Sequence, residues 1–473
     1  MALRVKIIAY EAIGSPTPNF KSIAKIWIYD QDGNKVPLTY SNVVYHNYAS
    51  RTADSYINDW FNDNNNPSPP YNSNDLVGVV EIQLPDSVTA VSFIALMAWP
   101  NVGGAGKALA YLSDDEGYDY QLQARFIFNT PSEQVTKQVG DSSLETIKIG
   151  GSTQSFVKVL YVDPENGNDM HTGSAGSPLK TISAAVDKCE HAGYAIYALR
   201  GTHDVTHVSS GNGTGGLYDA GKSISFIGVP GYTTFLCDGV VNTRRDHHAV
   251  STFGPDTKLY QLTFDVKLGG RTYNYQTAVF GRDSNFTKCK VYNCVFLFDG
   301  RPSIVHDNAG ANVIEVYNST FITTDNFLPS SGGGARPKLV NCVSNFAFYN
   351  EGTRLTCAGN LVFSPTYMIT SDESLWKDVG TGLDLDGSPA DLGIYGGMFR
   401  WQSDAEIIID PDDIDVHIPK NTDHIFDFQI KSPTPFHMTE ETEMLQATLG
   451  TGQVFVGTVN LKEWADIALM EVK

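Results

Sequence analysis

The sequence predicts an all-β protein in three regions: a jelly-roll β-sandwich over 1–150, stacked short strands over 151–402, and a small β-rich region over 403–473. Three observations carry this. A six-residue phrase recurs as Val291-Tyr292-Asn293-Cys294-Val295-Phe296, Val316-Tyr317-Asn318-Ser319-Thr320-Phe321 and Leu339-Val340-Asn341-Cys342-Val343-Ser344, with a looser copy at Leu259-Tyr260-Gln261-Leu262-Thr263-Phe264. The amide positions are 32, 25 and 23 residues apart, the range in which solenoids repeat. The 43 Gly, 23 Tyr and 24 Phe, against 18% charged residues, suit a strand-rich chain with tight turns.

Within each copy the apolar residues mostly alternate, as in strands with one buried face. The amide sits between two strand-like pieces, and stacked amides are expected to hydrogen-bond one another along the axis, as in Asn ladders. A β-sandwich with coincidental turn residues is the competing reading.

Along the first region, strands are predicted at 5–10, 24–29, 78–83, 91–97, 107–112 and 121–128, separated by Gly, Asn and Pro clusters. Ala49-Ser50 and Asp59-Trp60 precede the third of these, and Ala110-Tyr111-Leu112-Ser113-Asp114-Asp115-Glu116-Gly117-Tyr118 forms a hairpin pattern. This order resembles the galactose-binding-like (discoidin, coagulation-factor type C) family, departing from it at the Gly-rich stretch 101–106 and in lacking the flanking Cys pair of its secreted members. The resemblance implies sugar binding through end loops. Trp60, Tyr71 and Trp99 are the aromatics expected to stack on a sugar ring, core anchoring of the two Trp being the alternative. Asp114, Asp115 and Glu116 offer oxygen ligands of the kind Ca²⁺ takes, or form a solvated hairpin tip. Residues 130–156 read as a linker.

The second region opens with a predicted strand at 157–164 and the turn Glu165-Asn166-Gly167-Asn168-Asp169. Helical character follows at 183–190, with Thr181 as N-cap and Ile182, Ala185, Val186 and Cys189 on one face. This opening, with its Ser177-Pro178-Leu179-Lys180-Thr181-Ile182, resembles that of the pectin-lyase-like, right-handed parallel β-helix family, whose short helix caps the first coil. Asp391-Leu392-Gly393-Ile394-Tyr395-Gly396-Gly397 resembles the family's closure. The resemblance covers about 157–400 and implies a right-handed parallel β-helix. It implies no single activity, because the fold serves lyases, hydrolases, epimerases and inert virion proteins.

The formal charge of −20 excludes nucleic acid and anionic membrane surfaces as natural partners, since both demand clustered Lys and Arg. No run of 18 apolar residues spans a membrane, and the N-terminus reads as a first strand rather than a secretory segment. All six Cys lie between 189 and 357 with no C-x-x-C pair. They are expected to be free, core-packed thiols of a protein made in a reducing cytoplasm. In the tail, strands are predicted at 407–409, 425–430 and 453–459, and the apolar stretch 464–472 is expected to pack or to make an oligomer contact.

Chemistry in a β-helix sits on adjacent rungs facing one groove, and the weak catalytic candidates are Asp265, Asp299, Arg301 and Asp307. Asp265 and Asp299 each follow a strand Phe and are expected to stack near one another. No catalytic motif surrounds them, and solvated loop tips are the plainer alternative. The expectation is therefore a non-enzymatic bacteriophage virion protein (tail fibre, tailspike or decoration) that binds host cell-surface polysaccharide, contacts other virion proteins and forms homo-oligomers. The alternative is a polysaccharide depolymerase, a hydrolase or lyase, acting in the groove.

Overall fold

In a computed structural model, residues 3–12, 23–46, 60–61, 77–98, 105–113, 120–140, 143–208, 214–238, 247–252, 256–267, 275–281, 288–299, 301–307, 313–324, 338–348, 353–401, 445–449 and 452–456 are described. Met1–Trp401 forms one compact unit and Gln402–Lys473 a second. The protein is all-β, with long parallel sheets.

The first unit begins with two antiparallel sheets. One has five strands in the order Val43–His46, Val77–Gln83, Arg4–Ala12, Ala105–Ser113, Gln121–Ile127; the other has Ile23–Asp30, Val91–Ala98 and Gln134–Gln138. They enclose one core. Val5, Ile7, Val80, Ile82 and Phe126 come from the larger sheet, and Ile26, Ile28, Ile94 and Leu96 from the smaller. Alternation alone would leave the opposite face of Arg4–Ala12 in water. Instead Ile8 and Tyr10, on that face, pack with Leu109, Tyr111, Tyr120 and Ala192.

The stretch read as a linker is ordered. Gln134–Gln138 is the outer strand of the smaller sheet, and Glu145–Ile149 pairs with Ser152–Phe156 as a hairpin. Its polar residues suggested a tether because strand-edge residues are half in solvent, where polar side chains are favoured.

From Lys158 the chain visits three sheets in rotation. The first has eight parallel strands: Lys158–Val162, Tyr194–Ala198, Ser225–Gly228, Thr257–Tyr260, Lys288–Tyr292, Val313–Tyr317, Lys338–Val340 and Thr353–Leu355. The second has six, from Gly201–Asp204 through Thr233–Asp238, Thr263–Lys267, Val295–Phe298 and Thr320–Thr323 to Val343–Ser344. The third has five and ends at Arg301–Asp307. This rotation is compatible with a β-helix-like fold.

In-register pairing stacks like on like. Leu160, Ile196, Phe226, Leu259, Val291, Val316 and Leu339 form one inward column. Phe235, Phe264, Phe296 and Phe321 form another, with ring centroids 5.0–5.6 Å apart. Outward on the eight-stranded sheet, Tyr260, Tyr292 and Tyr317 stack beneath Phe399.

The predicted helix is Ile182–Lys188. Thr181 accepts the Ala184 N–H, and Ile182, Ala185 and Val186 are buried against the first strands. Asp169 accepts the N–H groups of Lys180 and Thr181, which fixes the approach to the cap. Gly167 is required there, since a Cβ would lie 2.1 Å from the Leu179 carbonyl oxygen.

A buried ionic cluster joins the antiparallel and parallel sheets. Lys6 Nζ lies 2.6 Å from Asp256 Oδ1, with the two side chains 1% and 5% exposed, and sits over the Tyr111 and Tyr120 rings. Lys258 Nζ donates to the Tyr120 carbonyl, and Lys290 pairs with Glu315 at 3.3 Å. Burial, opposed by Asp256, pulls the Lys6 ammonium down to about 7.

In the second unit, Leu445–Leu449 and Gly452–Val456 form an antiparallel hairpin. The strands expected at 407–409 and 425–430, and the stretch 464–472, lie outside the described residues.

Candidate functional site

The recurring amide has a backbone cause and a second use. Gln261, Asn293, Asn318 and Asn341 sit at the bend between the first and second sheets with φ of 54°, 50°, 44° and 54°. That left-handed region favours Asn among non-glycine residues. The side chains do not form the expected ladder with one another. They hold the returning segment 380–401 instead. Asn341 donates to the Thr381 carbonyl, Asn318 to that of Asp391, Asn293 to those of Ile394 and Gly396, and Gln261 to those of Phe399 and Arg400. The segment thus runs back along the corner, against the order of the rungs. The two glycines are forced by close approach. A Cβ on Gly396 would meet the Asp391 oxygen at 1.8 Å, and Gly397, at φ +76°, lies against the Asn318 amide.

The stretch 361–367, which precedes the returning segment, builds the wall of an open groove beside the outward face of the six-stranded sheet. The floor is Ile322, in register with the half-buried Leu297 and Asp265 of the preceding strands. The wall is Leu361, Val362, Phe363 and Tyr367, with Asn345 alongside Ile322. Tyr367 is at a tight turn: the Ser364 N–H donates to the Met368 carbonyl, and the Tyr367 N–H to that of Ser364. Its φ of 67° is costly for an aromatic residue. Its ring stands edge-on to Trp401 at 6.3 Å, as does Tyr395 at 6.4 Å. Trp401 is anchored by Nε1 donating to the Asn293 carbonyl. Burial, and then the neighbouring Asp265, push the Tyr367 hydroxyl above its ordinary range. Asp265 itself pairs with Lys267 at 2.7 Å, the lysine 44% exposed. An apolar floor, an aromatic edge, an amide and a solvent-facing ion pair therefore meet on one surface.

Of the residues predicted as sites, Asp265 reaches this surface. Asp299 does not stack on it: Asp265 pairs with Leu297, and Val266 with Phe298, so Asp299 follows one residue beyond the last registered pair. The offset arises because Asp265 follows the first Phe of its strand and Asp299 the second. Two residues along and one rung across put their Cα atoms ~8 Å apart on regular strand spacings. Arg301 and Asp307 belong to a strand of a different sheet, paired with Tyr275 and Gly281. Trp60 is completely buried, its Nε1 donating to the Ile23 carbonyl, so its ring has no face to offer a ligand. A loop placement in sequence is compatible with this because a loop tryptophan closes a sandwich end as readily as it stacks on sugar. Tyr71, Trp99, Asp114, Asp115 and Glu116 lie outside the described residues. Among the described residues no group of three or more His, Cys, Asp or Glu is arranged to hold a metal ion.

Sequence reasoning missed Tyr367, Tyr395 and Trp401. Their signal was the apolar and aromatic content of 361–401, a stretch outside the repeat and so without a periodic pattern to read. Comparison of the chain with models of protein families, with characterised proteins and with solved structures gives no match.

Proposed function

We propose that the chain is a right-handed parallel β-helix preceded by a jelly-roll sandwich and followed by a small β-domain, and that it serves as a non-enzymatic adhesion and structural protein of a bacteriophage particle. Its ligand is a polysaccharide of the host surface. The observation that carries this reading is Tyr367 beside the Asp265–Lys267 pair at the rim of an apolar groove. A sugar ring presents an apolar C–H face and a rim of hydroxyls, which an aromatic edge and a solvent-facing ion pair complement together. Such a shallow site binds weakly, and many copies on one particle, as homo-oligomers among other virion proteins, raise the overall strength.

The test is a panel of bacterial capsular and lipopolysaccharide glycans, scored for binding and for shortening of the chains. Binding without shortening, lowered tenfold or more by Tyr367→Ala, is the expected result. Equal binding by that variant removes the groove from the reading.

The depolymerase reading draws on the diagonal placement of Asp265 and Asp299, whose Cα atoms ~8 Å apart let the carboxyls reach the ~6.5–9.5 Å that inverting hydrolysis uses. Chain shortening abolished by Asp265→Asn and by Asp299→Asn would replace adhesion with that activity.

A further inference from the structure

The position after each recurring amide forms its own inward column: Leu262, Cys294, Ser319, Cys342 and, one rung on, Cys357. Register fixes the last two as neighbours. Leu339 pairs with Arg354, Val340 with Leu355 and Val343 with Ala358, so Cys342 and Cys357 face each other across adjacent parallel strands. Regular strand spacing sets their Cα atoms ~4.8 Å apart, inside the ~4.4–6.8 Å that a disulfide spans. Cys342 Sγ donates to the carbonyls of Val316 and Val340 at 3.4 Å, and Cys357 Sγ to that of Leu355 at 3.5 Å. Ser319 separates Cys294 from this pair, so among the described residues the column holds one adjacent Cys–Cys step.

The two thiols differ in a way that suits stepwise oxidation. Cys342 is completely buried and burial raises its thiol well above the ordinary range. Cys357 is half-buried, and the neighbouring Cys342 thiol pulls its own thiol below the ordinary value. The accessible sulfur is therefore the one more readily ionised, and a resolving thiol stands beside it on the adjacent strand. The pair also lies where the stack is least secured: Thr353–Leu355, the last strand of the long sheet, is exposed at all three residues.

We propose that Cys342 and Cys357 are an oxidative modification site, in which a peroxide converts the pair to a disulfide that staples the final rung to the one before it. The Cys357 thiolate attacks one peroxide oxygen, the O–O bond breaks, and sulfenic acid forms with release of water (hydroxide plus the proton lost from the thiol). The Cys342 sulfur then attacks the Cys357 sulfur, the S–O bond breaks, and the leaving hydroxide takes the Cys342 proton as a second water. Two thiols are oxidised by two electrons in total, and one peroxide is reduced.

Arg354 lies between the two cysteines, so trypsin places them on separate peptides, 339–354 and 355–377. Full-length protein treated with hydrogen peroxide, alkylated and digested without reductant is expected to yield these two peptides joined, two hydrogens lighter than their sum. Cys342→Ser should abolish the joined species and leave a Cys357 sulfenic acid that dimedone captures. Cys357→Ser should leave Cys342 as free thiol. Circular dichroism matching the parent protein shows that each variant is folded. Overturning results are Cys357 recovered as sulfinic acid or free thiol with no joined peptide in the parent protein, or Cys342 joined instead to another cysteine.

Discussion

The two ends of the parallel sheets are finished differently. At the first strand, Lys158–Val162, the outer edge is taken up: Val162 bridges Leu179, and the Tyr161 N–H donates to the Gly173 carbonyl. The capped helix covers the adjacent core. The antiparallel sheets dock there through Ile8, Tyr10, Leu109 and Tyr111 against Ala192, and further along through Lys6 at Asp256, beside the fourth strand. At the last strand, Thr353, Arg354 and Leu355 are all exposed, and no described strand pairs beyond them. A stack of rungs is held by nearest-neighbour interfaces, so its stability is lowest where one neighbour is missing. One end of this protein is built into another layer, while the other is left thin and carries the paired thiols.

The largest effect is expected where the antiparallel sheets dock on the fourth strand of the long sheet. Lys6→Met removes the ammonium that pairs with the buried Asp256 carboxylate, and removing one partner of a buried pair costs ~3–5 kcal/mol. Urea unfolding would read this as a lowered midpoint. The double variant Lys6→Met, Asp256→Leu should recover most of the loss, because two apolar side chains replace both buried charges. An unchanged midpoint in the single variant would show that this buried pair adds nothing to the docking.

The same lysine gives a pH dependence whose sign is fixed. In the unfolded chain Lys6 keeps its proton up to its ordinary value of 10.5, whereas in the folded protein burial releases it near 7. Between those values the unfolded state holds more protons, so this group makes stability rise with pH. Below about 7 the cost of burying the charge is present in full. Stability measured from pH 7 to 10 should therefore climb more steeply in the parent protein than in Lys6→Met, and parallel profiles would contradict the buried-cation account.

Much of this contrast was legible in the sequence, and the illegible parts share a cause. The repeat phrase revealed the stacked strands, and Thr181 with the apolar face of 182–189 the helix cap, because each is written in local spacing. The fate of the amides was not, since Asn293 bonds to carbonyls 101 and 103 residues away that carry no side-chain signature. Lys6 and Asp256 stand 250 residues apart, each a lone charge inside an apolar or turn context. Asp265 and Asp299 were placed on equivalent positions because the phrase gives the repeat but not which strand residue faces which. Register, set by hydrogen bonding, settled that offset.

A smaller effect is expected along the corner that ties the two ends together. Asn293→Ala keeps the strands but strands the carbonyls of Ile394 and Gly396 in a buried setting, at ~1–3 kcal/mol. It also removes a residue suited to φ 50°. Hydrogen exchange should localise the loss to 380–401 and leave the N-terminal sheets protected. Uniform loss would mean that the returning segment belongs to the same cooperative unit as the docked end.

The smallest effect is at the open end, and one column of side chains allows the comparison under matched geometry. Tyr292, Tyr317, Val340 and Leu355 are in register on the outward face of the long sheet. Tyr292 is completely buried between Tyr260 and Tyr317, while Leu355 is 42% exposed. Tyr292→Ser empties a large buried volume and should cost ~3–5 kcal/mol. Leu355→Ser, at the same register position on the final rung, should stay within ~0.5 kcal/mol. Peroxide treatment should leave Tyr292→Ser near its reduced midpoint and raise proteolytic resistance at 353–361 in Leu355→Ser, because a staple between Cys342 and Cys357 acts on the rung that frays. If Leu355→Ser instead destabilises the whole unit, the final rung is not an independent end but a closing element, and the asymmetry between the two ends fails.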